Sequence, residues 1–171
     1  TPLTRLKLQL AFLKEQDLAK KMSDDIGEME RMLNEYLEFA KYQKNEETEK
    51  IEFNNIINDV VKKYENKEIK VSISENLKIN IRPNSIKRCL ANLMDNSFAY
   101  GKKVEITVNK IENSLIVFVD DDGPGIPEQE YQNVIKPFYR VDKSRGQNKS
   151  GVGLGLSIAN DIIRSHGGNL A

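Results

Sequence analysis

The stretch Gly151-Val-Gly-Leu-Gly-Leu-Ser-Ile-Ala-Asn160 sets three glycines at alternate positions and runs directly into an apolar helical pattern. Glycine inside a helix costs about 0.5–1 kcal/mol relative to alanine, so glycines at its mouth imply that something approaches the backbone there. Unblocked N–H groups at a helix N-terminus, backed by the helix dipole, form a site for an anion.

The rest of the chain bounds what that anion can belong to. With 171 residues, 39% of them hydrophobic, and 26 basic against 26 acidic side chains, it reads as a soluble globular chain of one fairly large or two small domains. A net charge of zero argues against a general nucleic-acid binder. No apolar run reaches the roughly 18 residues that span a bilayer, and the first residues lack the charged-then-apolar order of a signal peptide. The single cysteine, Cys89, lies in an apolar helical pattern and reads as a buried, inert thiol, consistent with a reducing compartment.

The pattern changes character at Asn45-Glu46-Glu47-Thr48-Glu49, a charged stretch without periodicity that reads as a linker. Before it, Leu3, Leu6, Leu10 and Leu13 fall at steps of three and four. After a break at Glu15-Gln16-Asp17, so do Leu18, Met22, Ile26, Met29, Leu33, Tyr36 and Ala40. These are two amphipathic helices, with Asp17 a candidate cap and Pro2 expected to bend the first. Two helices alone bury too little, so residues 1–45 are expected to pair with a second copy in a four-helix bundle; a hairpin packed on its own globular domain is the alternative.

Residues 50–171 carry a mixed code. Phe53–Tyr64 reads helical, Lys67–Ser74 and Leu77–Ile81 alternate like strands, and Pro83 opens a helix that runs through Phe98. Val104–Asn109 and Leu115–Val119 alternate around a turn at Glu112-Asn113. Glu128–Ser150 is long, polar and poorly periodic, as functional lids and disordered segments are, and a last helix is expected from Val152. The whole is an α+β layer with strands on one face and three helices on the other.

Three further signals accompany the glycines. In NLMDNSFAYG, Asn92 and Asn96 stand four apart on one helix face, which is either solvated or turned to a polar partner; an amide oxygen is a hard donor suited to Mg²⁺. In DDDGPGIP, Asp121 ends a strand ahead of Gly123 and Gly125. That is an ordinary turn signature, or else a carboxylate at the strand's buried end that accepts from an exocyclic amine while the glycines admit a flat ring. Adenine carries such an amine. In KPFYR, Lys136–Arg140, two aromatics and two cations either close over a nucleotide or form a small satellite core.

In that order and spacing, NLMDNSFAYG, DDDGPGIP, KPFYR and GVGLGLSIA resemble the N, G1, F and G2 boxes of sensor histidine kinases, and TPLTRLKLQLAFL resembles their dimerisation and phosphotransfer helix. The osmosensor branch, the EnvZ type, looks most similar. The resemblance implies a Bergerat-type α/β sandwich that binds ATP and Mg²⁺ after a helical hairpin that forms a dimeric four-helix bundle. It implies that Asn96 holds Mg²⁺, Asn92 lies beside the phosphates, Asp121 holds the adenine amine, and Gly123 and Gly125 shape the adenine pocket. Tyr100 would lie against the nucleotide, Phe138 would anchor the lid, and Gly151, Gly153, Leu154 and Gly155 would bring the lid's end onto the triphosphate.

In the family the attacking histidine stands four residues before the threonine of the Thr-Pro pair, hence ahead of Thr1. His166, beside Gly167-Gly168, reads as a capping or packing residue. The resemblance therefore implies a piece that binds Mg-ATP without phosphorylating itself, Thr1 orienting the water that hydrolyses a response regulator's phospho-aspartate. Both ends look cut from a larger protein, anchored in a bacterial inner membrane with these residues on the cytoplasmic side. Lys102, Lys103, Arg140 and Lys143 either touch phosphates or face solvent. Two rival functions are a water-splitting ATPase of the gyrase and chaperone type and a non-catalytic docking module. The first places a glutamate where this chain has Asn92, a poor general base.

Overall fold

In the computed structural model, residues 2–10, 16–75, 77–112, 114–141 and 153–171 are described. They divide into two units, Thr1–Lys44 and Asn45–Ala171.

The first unit holds helices α1 (Pro2–Leu10) and α2 (Gln16–Asn45). Pro2 is the first residue of α1, where an N–H has no intrahelical acceptor, so the expected bend has no bond to break. Asp17 falls inside α2 rather than ahead of it. Leu10 and Ile26 are buried, while Leu18, Met22, Met29, Leu33, Tyr36 and Leu37 are each about half exposed along α2.

The second unit is the expected α+β sandwich. Its elements are β1 (Glu49–Glu52), α3 (Phe53–Val61), a 3-10 turn (Lys62–Tyr64), β2 (Glu68–Ile73), β3 (Lys78–Ile81), α4 (Pro83–Tyr100), β4 (Lys103–Ile111), β5 (Ser114–Asp121), a second 3-10 turn (Glu128–Glu130), α5 (Tyr131–Val134) and α6 (Gly155–Ser165). Strands order β2-β4-β5, with β2 parallel and β5 antiparallel to β4; β1 and β3 form a separate antiparallel pair. The parallel β2–β4 pair needs a long crossover, and β3 with α4 supplies it.

Helix α3 buries Phe53, Ile56, Ile57 and Val60, spaced i, i+3, i+4, i+7, so one stripe of the helix is apolar. Helix α4 buries Ile86, Cys89, Leu90 and Met94 and packs against α3 and α6. Val104, Ile106 and Val108, alternate residues of β4, supply the sheet side of the core. Cys89 is buried with its thiol pushed up to about 12 by desolvation, the inert behaviour expected of it.

Two expected boundaries move. The charged stretch read as a linker ends in strand, because β1 starts at Glu49 and pairs Glu49 with Ile81. Within it, the Glu46 carboxylate accepts the backbone N–H groups of Asn84 (2.5 Å) and Ser85 (2.9 Å) and the Ser85 hydroxyl (2.6 Å), satisfying free donors in the first turn of α4. The last helix begins at Gly155 rather than Val152.

Candidate functional site

Helix α4 starts where Pro83 holds its N1 position after an extended Arg82, and ends at Gly101. Between those ends it carries Asn92 and Asn96 on one face, both half-buried. Asn92 Nδ2 is buried without a hydrogen-bond partner; among the described residues only Asn54 Oδ1, on α3, shares that condition. A buried amide donor left unpaired costs about 1–3 kcal/mol, which a ligand oxygen would recover. The first residue of α6 lies beside it: a Cβ on Gly155 would stand 3.9 Å from both the Cβ and the carbonyl oxygen of Asn92. The glycine-led helix mouth and the N-box face are thus brought together by the α4–α6 packing. Leu154, at the N-cap of α6, is buried.

Asp121 ends β5, and its register opposite Val104 puts it on the helix-facing side of the sheet. It is exposed, which corrects the expectation of a buried strand end: β5 stops there. Its Oδ1 accepts the N–H of Gly123 at 2.9 Å, closing the turn. A Cβ on Gly123 would stand 2.7 Å from that oxygen and 3.2 Å from the Tyr100 carbonyl carbon, so the turn is pressed against the end of α4. Tyr100 there is exposed. Gly125 has φ +73°, a conformation that favours glycine.

Asp122, a residue the motif reading left without a role, fixes this turn. Its Oδ1 accepts the N–H groups of Lys103 (3.0 Å) and Lys102 (2.6 Å), and these two bonds hold its carboxyl below the usual carboxylate range. A Cβ on Gly101 would meet that same oxygen at 2.7 Å. The spacing of twenty residues hides the contact from any local reading. The Lys102 and Lys103 side chains face solvent, with Lys103 paired to Glu68 at 2.8 Å.

The segment expected as a lid or as disorder forms helical turns over its first part. The Tyr139 hydroxyl, then the Asn133 amide, donate to Glu130 and hold its carboxyl low. Phe138, exposed and at φ +65°, donates its N–H to the Gly153 carbonyl at 2.9 Å. Gly153 has φ +76°, and a Cβ there would strike the Tyr139 carbonyl at 2.9 Å. Phe138 and Gly153 therefore clasp one another. Thr1, Gly151 and Lys143 lie outside the described residues, and Arg140 is half-buried.

His166 closes α6. Its Nε2 accepts the backbone N–H of Arg82 at 3.1 Å and its Nδ1 lies 2.7 Å from the Ile162 carbonyl, so both ring nitrogens serve packing and capping. No described helix is long and apolar enough to cross a membrane.

An orphaned amide donor thus stands beside a glycine-led helix mouth, and a strand-end carboxylate beside a glycine turn. Residues 81–171 match the family model described as histidine kinase-, DNA gyrase B-, and HSP90-like ATPase, more than half of this chain, and the chain belongs to that family. Over its whole length it is 32% identical to the sensor histidine kinase GtrS of Pseudomonas aeruginosa, of which it covers 36%. The histidine kinase domain of the Escherichia coli osmosensor EnvZ is 30% identical, with a TM-score of 0.57 over 75% of this chain and 81% of that one. Full-length ShkA in complex with AMPPNP, at 18% identity, shows the same fold with a TM-score of 0.67 over 91% of this chain and 35% of that one. The chain spans 32–40% of the length of the curated relatives, which are sensor kinases.

Proposed function

We propose that this chain is the catalytic part of a two-component sensor histidine kinase and binds ATP with Mg²⁺. The observation that carries the reading is the buried, unpaired Nδ2 of Asn92, a residue that lies beside the start of α6, because an unpaired buried donor calls for an acceptor oxygen such as a phosphate supplies. Asn96, one turn further along the same face, offers the amide oxygen for Mg²⁺, whose charge would offset that of the phosphates. Asp121 accepts the adenine amine, with Gly123 and Gly125 leaving room for the ring and Tyr100 at its edge. Phe138 and Gly153 tie down the two ends of the lid, and Gly151, Leu154 and Gly155 complete its phosphate side.

In the parent protein the γ-phosphoryl leaves ADP for an imidazole nitrogen and passes from there to a response-regulator aspartate. His166 is not that acceptor, since both its nitrogens are engaged within the fold, and the 171 residues alone are not expected to phosphorylate themselves. Residues 1–45 dimerise through the exposed seam of α2. Thr1 orients the hydrolytic water in a phosphatase reaction, and the parent protein is anchored in a bacterial inner membrane, with this part in the cytoplasm.

Calorimetric titration with ATP, with and without Mg²⁺, tests the reading, with GTP and Asp121→Asn as controls. ATP should bind, GTP should not, and Asp121→Asn should lose about 100-fold or more, since a site built for one polar edge rejects its mismatch strongly. A folded chain that binds neither nucleotide would leave only a dimerising module.

A further inference from the structure

The nucleotide-facing amides sit on α4, and their aim depends on how that helix is turned about its axis. One side chain outside the motifs holds it. Tyr64, ending the 3-10 turn after α3, donates its hydroxyl to Asp95 Oδ1 at 2.7 Å and reaches the Ala91 carbonyl at 3.3 Å. Ala91 and Asp95 directly precede Asn92 and Asn96. The phenol thus bridges two successive turns of α4 at the two positions next to the site amides. Turning or sliding α4 about this point breaks the Asp95 bond.

The ring that carries this hydroxyl also packs on α4. It meets Phe98 of α4 at a centroid distance of 5.6 Å, and the Lys67 ammonium lies 5.3 Å over the far ring. Beside Tyr64 lies an open hollow of about 390 Å³, bounded also by Asn58, Val61 and Ile69. Burial, then the Asp95 carboxylate, push the phenol up, so it remains the donor.

We propose that Tyr64, through Asp95, is a positioning residue for Mg²⁺ binding at Asn96. The proposal rests on the nucleotide reading above. It concerns the setting of α4, not the adenine pocket, which is built on β5 and the turn after it. The stronger bond is at Asp95, next to Asn96, so loss of the hydroxyl should weaken the Mg²⁺-dependent part of ATP affinity more than the rest.

The test is calorimetric titration of the 171-residue chain with ATP, in Mg²⁺ and in chelator, on wild type, Tyr64→Phe, Asp95→Ala, Asp95→Asn and the double variant Tyr64→Phe/Asp95→Ala. Tyr64→Phe and Asp95→Ala should each lose about tenfold in Mg²⁺ and clearly less in chelator, a coupling of ordinary size between linked groups. The double variant should lose no more than either, and Asp95→Asn, whose amide oxygen still accepts, should behave as wild type. Equal losses with and without Mg²⁺, additive losses, or none in Tyr64→Phe would overturn the clamp while wild-type binding upheld the nucleotide site. A wild type that binds no ATP sinks the nucleotide reading and the clamp with it.

Discussion

The two units of this chain treat their apolar residues in opposite ways. In Asn45–Ala171, Ile56, Ile57, Met94, Ile106 and Ile162 are all but fully buried, and α3 and α6 pack on α4, which in turn meets β4 and β5. In Thr1–Lys44, α2 leaves Met29, Leu33, Tyr36 and Leu37 at 49–55% exposure on a single helix. The first arrangement is complete within one chain. The second displays a stripe whose burial would stabilise it by about 1.5–3 kcal/mol per large side chain if a partner covered it. One unit closes its apolar stripes, and the other leaves one exposed.

The largest effect that can break this contrast is on association. Wild type should sediment as a dimer, and Met29→Glu with Leu33→Glu should sediment as a monomer that retains the ATP-binding unit; a monomeric wild type would leave the α2 stripe unexplained. Next, Met94→Ala, fully buried on α4, should lower the urea stability of the second unit by about 2–5 kcal/mol through the cavity it opens, without changing the sedimenting mass.

Smaller effects sharpen the contrast inside the second unit, between its core and its site. Gly153→Ala forces a side chain into a φ of +76° and against the Tyr139 carbonyl, a strain of about 1–3 kcal/mol. Hydrogen exchange at the Phe138 N–H, which bonds the Gly153 carbonyl, should quicken about tenfold or more, while exchange on β4 stays slow. The smallest effect is a pH dependence at Asp122. Its folded carboxyl titrates below its unfolded value, so its stabilisation is present above the unfolded value and is lost as pH falls through the folded one. The melting-temperature difference between wild type and Asp122→Ala should hold from neutral pH to about 5 and shrink below about 4.

Much of this was legible in the order of residues. The spacing of Phe53, Ile56, Ile57 and Val60 declares a helix, the alternation in β4 a strand, and Pro83 a helix start, because each signal is local and each element forms where it is read. Four ordered motifs fixed the family. Where the reading slipped, a distant partner decided. Glu46 and Glu49 look like solvated linker charges until Ser85 and Ile81 are brought to them. Asp121 looks buried as a strand end until the end of β5 is seen to be exposed.

The sequence by itself determined most of the elements, the mixed α+β class and which residues are candidates for the site, since periodicity, glycine placement and motif order are properties of the chain. Only the tertiary structure decided which of those residues meet. The α4–α6 packing sets Gly155 beside Asn92 and leaves its amide unpaired, Asp122 joins the end of α4 to the end of β5, and Tyr64 grips α4 from thirty-one residues away. Contacts at that separation carry no local signal, because they are settled by how whole elements pack rather than by which residue follows which.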